Sequence, residues 1–95
     1  MRARYSAYVL KREDFLLASW HASSRPTSLD LAAQQPAPRW LGLDVKRHQS
    51  GNDEAVVEFV ARLRYGGNKA QRLHEISRFV REQGRWYYLD GTILH

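Results

Sequence analysis

Hydrophobic and polar positions change period near the middle of the chain, which divides it into a helical part and a strand-bearing part. Between Arg2 and Leu10 the apolar residues Ala3, Ala7 and Leu10, flanked by Tyr5, Tyr8 and Val9, recur at the spacing of an amphipathic helix. The Glu13-Asp14 pair suits the positive end of a second short helix, Glu13 to Trp20. His21 to Pro26 is turn sequence, after which Thr27 or Ser28 can cap a single helical turn through Leu29, Asp30, Leu31 and Ala33. Gln34-Gln35-Pro36-Ala37-Pro38 then makes an extended connector, because proline breaks a helix and biases the residue before it towards extended backbone.

Beyond the connector, β-branched and aromatic residues predict four strands: Trp40 to His48, Ala55 to Tyr65, Leu73 to Glu82 and Arg85 to Asp90. The joints Ser50-Gly51-Asn52-Asp53, Gly66-Gly67-Asn68-Lys69 and Gln83-Gly84 are short, so consecutive strands are antiparallel neighbours in a meander. A two-residue Gln83-Gly84 loop sets Arg81 opposite Trp86, Val80 opposite Tyr87, Phe79 opposite Tyr88 and Arg78 opposite Leu89. A tight Gly67-Asn68 turn sets Glu75 opposite Val60. Side-chain alternation then groups Ala55, Val57, Phe59, Ala61 and Leu63 with His74, Ile76, Arg78, Val80, Tyr87 and Leu89 as the face under the helices, with Leu41, Leu43 and Val45 able to join. Phe79, Trp86 and Tyr88 fall on the opposite face with Glu58, Arg62, Glu75 and Ser77. The expected architecture is α+β, helices packed on a four-stranded antiparallel meander, in one domain over residues 1–95.

Ninety-five residues suffice for one modest core, burying roughly 60–65% of the unfolded surface. No apolar run approaches the ~20 residues of a membrane span, and MRARYSAYVL lacks a signal-peptide pattern, so a cytoplasmic location without membrane contact is expected. The absence of cysteine removes disulfides, thiolate metal sites and thiol chemistry. A net charge of +5 favours acidic partners, but the charges are interspersed and no basic run reaches five, which disfavours nucleic acid. There is no phosphate loop, GxSxG or HExxH, and histidines at 21, 48, 74 and 95 lack metal-ligand spacing, so no metal and no cofactor are implied.

The candidate chemistry lies on the expected inner face and in the helices. His74 and Arg78, about 13 Å apart on one strand, would line a cavity with Tyr8, Trp20 and His21, although a snorkelling arginine, a backbone-bonded histidine and core aromatics account for the same positions. Phe79, Trp86 and Tyr88 form the candidate interface, suited to a two-fold contact with a second copy. Glu58, Arg62 and Glu75 read as a surface ion-pair group. Three functions follow. The first is a binding module for a small molecule or protein segment; the second is a proton-transfer or hydration enzyme with His21 or His74 as base and Arg78 polarising the substrate; the third is a dimerisation unit.

The blocks RYSAYVLKREDFLLASWHASSRPTSLDL, WLGLDV, VEFVARLRYGG and LHEISRFVREQGRWYYLDG closely resemble, in order and over nearly the whole chain, the YchJ-like domain family, a small bacterial domain with a nuclear transport factor two-like (NTF2-like, cystatin-like) fold. The resemblance implies a cone, a curved antiparallel sheet wrapped around the N-terminal helices. It also implies an association with Cys-rich SEC-C zinc motifs, of which this sequence, without cysteine, has none. The wider superfamily includes isomerases, dehydratases and hydrolases as well as binding and dimerising domains, so the implied fold does not decide between the three readings.

Overall fold

In the structure, a computed structural model that describes residues 2–29, 31 and 38–94, the element order is α1 (Arg2–Val9), α2 (Glu13–Ala18), β1 (Pro38–Ser50), β2 (Glu54–Tyr65), β3 (Gln71–Glu82) and β4 (Arg85–Leu94). The strands form one antiparallel sheet in the order β1-β2-β3-β4, the expected meander. β1 begins at Pro38, a place where a strand tolerates the missing N–H. Residues 34–37 of the expected connector lie outside the described residues, as do Asp30 and Ala33 of the expected helical turn. Leu31 is described, and its N–H donates to Glu13 Oε1 at 3.0 Å, so the acidic start of α2 holds the segment that follows. No helix among the described residues is long and apolar enough to cross a membrane.

The tip of the β3–β4 hairpin follows its turn chemistry. Gln83 and Gly84 both have positive φ, 52° and 78°, as a two-residue turn matched to strand twist requires. Phe79 pairs with Tyr88, Val80 with Tyr87 and Arg81 with Trp86, as expected. Two corrections follow beyond that point. Arg78 pairs with Asp90 rather than Leu89, because Leu89 is an extra residue on β4 and forms a bulge. Val60 pairs with His74 and Phe59 with Glu75, one residue away from the expected β2–β3 register. A shift of one residue reverses the faces of a strand.

Consequently Leu73, Glu75, Ser77 and Phe79 share the covered face with Ala55, Val57, Phe59, Ala61 and Leu63, while His74, Ile76, Arg78 and Val80 point away from the helices. On β4 the covered face carries Trp86 and Tyr88 and, past the bulge, Gly91 and Ile93. On β1 it carries Trp40, Leu43 and Val45, whereas Leu41 is bulged out and 40% exposed. The bulges on β1 and β4 bend strands that would otherwise run straight.

Among the described residues two small apolar clusters result. Ala7, Leu16 and Leu31, with Tyr8 and Leu29 against them, form the helical one; Ala55, Val57 and Phe79, with Val45 and Tyr88, form the sheet one. Leu16 is fully buried, a gain of about 1.5–3 kcal/mol. Rings join the two layers. Tyr5 and Tyr8 meet Trp40 at centroid distances of 5.7 and 5.8 Å, and Trp20 meets Tyr88 edge-on at 4.9 Å. The chain leaving α2 is also clamped to β4: Tyr88 N–H donates to Ser19 O at 2.8 Å and His21 N–H to Tyr88 O at 2.7 Å.

Candidate functional site

Because rings rather than branched aliphatic side chains span the two layers, space remains between them. The larger cavity, about 460 Å³, has Val45, Ala55, Val57 and Phe79 as its floor, α1 and Phe15 above and Trp86 at its side. A smaller one of about 190 Å³ lies between Tyr5, Tyr8, Trp40, Leu73 and Glu75. Arg4 and Tyr88 line both.

Arg4 is placed by helix geometry. It stands one turn before Ala7 and Tyr8 on the same face of α1, so burying that face carries the guanidinium inside. It is 6% exposed. Its Nη1 donates to Ser19 Oγ at 3.0 Å and makes a longer contact with Leu16 O at 3.4 Å. Its Cζ lies 4.4 Å from the Tyr88 ring centroid and 5.2 Å from that of Trp20. Burial lowers the Arg4 pKa, with Tyr8, Tyr88 and Glu75 opposing that shift. Among the described residues no carboxylate forms an ion pair with it.

Glu75 supplies the opposite charge from β3. Its Oε2 accepts from the fully buried Ser77 hydroxyl and from Tyr88 OH at 3.3 Å. Gly91, paired with Ser77 on the neighbouring strand, leaves room for this group: an added Cβ would lie 2.5 Å from Glu75 Oε2 and 2.9 Å from Tyr88 OH. Burial raises the Tyr88 pKa well above its ordinary value, with the Glu75 charge and hydrogen bond adding to it; burial likewise raises Tyr8, against the pull of Arg4. Trp20 Nε1 is buried without a hydrogen-bond partner among the described residues. Among the described residues the two cavities thus offer one buried cation, Arg4, with Arg2 and His48 at the wall of the larger, and one carboxylate and phenol hydroxyls in a mostly apolar lining. Among the described residues no three metal-ligating side chains converge.

The residues expected at a site are dispersed by the register shift. Tyr8 lines the smaller cavity and Trp20 stands behind Arg4 and Tyr88. His21 lies at the edge of the sheet, its Nε2 2.9 Å from Glu82 Oε2 and its Nδ1 2.7 Å from Ser23 Oγ. His74 is on the uncovered face, 2.7 Å from Glu58 Oε2, with Arg47 3.7 Å from the other oxygen. Glu58 therefore pairs with His74 and Arg47 instead of joining Arg62 and Glu75. Arg78, on the same uncovered face, makes a two-pronged pair with Asp90, whose hydrogen bond lowers the Asp90 pKa. Of the expected interface, Phe79 is buried and Tyr88 half-buried beneath the helices, and Trp86 is 39% exposed at the cavity mouth with Arg81 over its ring. Arg4 and Glu75 were not expected there. The signal for Arg4 was its spacing from Ala7 and Tyr8, and for Glu75 its parity with Phe79.

Two short helices closing one side of a bulged antiparallel meander, with a cavity between the layers, define an α+β domain of the NTF2-like class. The family model described as YchJ, middle NTF2-like domain, matches residues 1–91, and the chain belongs to that family. It is 55% identical over 96 residues to a UPF0225 protein of Chromobacterium violaceum, covering 98% of this chain and 70% of the relative. With a UPF0225 protein of Polaromonas naphthalenivorans it shares 61% identity over 92 residues, covering 96% of this chain and 65% of that one. The chain thus spans about two thirds of the length of these relatives. The solution structure of a SEC-C motif-containing protein from Rhodopseudomonas palustris superposes with a TM-score of 0.87 at 33% identity, over all of this chain and 76% of that one.

Proposed function

We propose that the domain is a binding module that holds a small cytoplasmic ligand between its helices and its sheet, with an apolar body on the Val45, Val57 and Phe79 floor and an anionic or carbonyl head on Arg4. One observation carries this reading. Arg4 is a buried cation that lines both cavities and has rings and neutral oxygens for company but no ion-pairing carboxylate among the described residues. A desolvated charge of this kind is best matched by an opposing charge or strong acceptor, and a cavity of about 460 Å³ is in the range of small-molecule sites.

The test is native mass spectrometry of protein purified from a bacterial lysate, together with titration of anilinonaphthalene sulfonate, a probe with an aromatic body and an anionic head. The parent chain is expected to retain a small mass or bind the probe. Arg4→Met should weaken binding about ten- to a hundredfold, the worth of a charge-assisted hydrogen bond of ~1.5–3 kcal/mol. A parent with neither, or a variant that binds equally well, overturns the proposal.

A second reading is favoured by Glu75, an interior carboxylate at the smaller cavity that accepts from Tyr88 OH. In a proton-transfer reaction it would be the base, a role closed to His21 and His74, which lie outside both cavities, whereas His48 lines only the larger one. Glu75→Gln separates the readings: it would abolish turnover while sparing retention of the ligand, whereas a pure binding module has no turnover to lose.

A further inference from the structure

The uncovered face of the sheet gathers charges that are scattered in the sequence. Arg39 pairs with Arg64 across β1 and β2, and Arg62 pairs with Arg72 across β2 and β3. Arg62 and Arg64 are two residues apart on β2, so all four side chains leave the same face at adjoining positions. Gly42 sits opposite Arg62 on its other side, and a Cβ added there would lie 3.0 Å from Arg62 Nη2. The guanidinium therefore lies over a position without a side chain. Arg39, Arg62 and Arg72 are exposed and Arg64 partly so.

Like charges directly opposite each other on a sheet repel, and this corner has two such pairs. Among the described residues none of the four arginines has an ion-pair partner. The neighbouring carboxylate, Asp44, accepts from Lys46 at 2.7 Å, and that bond lowers its pKa more than Arg62 and Arg72 do. Lys46 thus offsets Asp44, and the corner keeps four positive charges.

We infer that this corner, Arg39, Arg62, Arg64 and Arg72, is a docking surface for the phosphodiester backbone of a nucleic acid. Strand geometry spaces the four groups at about 5 Å across the sheet and about 7 Å along it, a two-dimensional array of planar forks that grip phosphate oxygens in pairs. Among the described residues no Phe, Tyr or Trp lies on this face at the corner for base stacking, and the one nearby ring, His74, is held by Glu58, so the contact is to the backbone and independent of sequence. An acidic protein segment fits less well, since protein interfaces depend on buried apolar or aromatic anchors. Here Val60 is already buried and, among the described residues, Leu41 at its bulge is the one large exposed apolar residue nearby. Interspersed charge along the chain argued against nucleic acid; the register, which brings Arg72 beside Arg62, reverses that argument.

Fluorescently labelled single-stranded RNA and duplex DNA of mixed sequence, titrated with the 95-residue chain over a range of salt, test the inference. For single-stranded RNA, three or four neutralised phosphates give a slope of log K on log salt of about −2 to −3. Arg62→Gln with Arg72→Gln should weaken binding at least tenfold at low salt and flatten the slope by about 1.4. Arg39→Gln with Arg64→Gln, a second pair, should do the same, so that misfolding of one pair does not decide the matter. Arg12→Gln with Arg85→Gln removes equal charge elsewhere and should change affinity less than twofold. Whichever of RNA and duplex binds more tightly identifies the source of the backbone. Absence of binding to both, an equal loss in the control pair, or tighter binding of polyglutamate than of either oligonucleotide overturns it.

Discussion

Replacing Arg4 by methionine separates a cation kept for binding from one kept for folding. Methionine retains most of the side-chain length and fills much of the same space. The substitution removes two cation–π contacts, at 4.4 and 5.2 Å, each worth about 0.5–2 kcal/mol, and one hydrogen bond to Ser19 Oγ worth about 1.5–3 kcal/mol. It also removes the cost of holding a charge out of water, which in proteins is several kcal/mol per ion. Ser19 is not orphaned, because its hydroxyl still donates to Phe15 O at 2.8 Å. These contributions nearly cancel, so the variant should lie within about 1 kcal/mol of the parent, or about 4–8 °C in Tm for a domain of this size. Urea denaturation followed by tryptophan fluorescence measures the difference. A loss above about 3 kcal/mol would show that Arg4 is a structural support, and the argument for a binding cation would fail with it. Arg4→Ala is the contrasting case: the empty volume beside Tyr88 adds about 2–4 kcal/mol of destabilisation.

Three further outcomes follow from the same interior and its margins. Gly91→Ala should cost about 1–3 kcal/mol, because the new Cβ displaces Glu75 and leaves the buried Ser77 hydroxyl without its acceptor; an unchanged urea midpoint would contradict this. Tyr8 and Tyr88 have raised pKa values in the folded state, so the stability linked to them is complete below the unfolded value near 10 and is lost as pH rises beyond it. The double variant Tyr8→Phe with Tyr88→Phe should therefore hold its Tm above about pH 10 where the parent loses it, with tyrosinate absorbance confirming late ionisation in the parent. Asp90 has a lowered folded pKa, so its pairing with exposed Arg78 contributes above the unfolded value near 3.9 and is lost as pH falls through the folded one. Asp90→Asn should melt slightly below the parent at neutral pH and converge with it in acid; a constant gap would contradict the pairing.

Elements were legible in the sequence because local chemistry decides them: two helices, four strands and the Gln83-Gly84 turn stand close to where periodicity and turn residues put them, except that β4 continues through the expected stop at Asp90-Gly91 to Leu94, where β3 still offers it a partner. The faces were not, because they depend on one integer per strand pair. The connection from Arg64 to Ala70 sets Leu63 against Gln71, and the slip of one from a tight turn exchanged His74 and Arg78 for Glu75 and Phe79 under the helices. The Leu89 bulge is a second integer, invisible to alternation, that brings Gly91 to the side of Tyr88. Arg4 was hidden for a different reason. Hydropathy ranks an arginine as outward, and α1 follows Arg4, Ala7 and Tyr8 rather than the stripe of Ala3, Ala7 and Leu10.

The separation of the apolar interior into two clusters has a thermodynamic consequence for the living chain. A domain whose helical and sheet layers meet through rings around open space lacks part of its own filling, and the ligand proposed for that space would complete it. At a hundred times its dissociation constant, such an occupant adds about 2.7 kcal/mol to the folded state, comparable to burying one more leucine. The surviving amount of protein, under constant sampling by proteases, would then rise and fall with the supply of a metabolite. The fold would act as a gauge, reporting a concentration through its own lifetime.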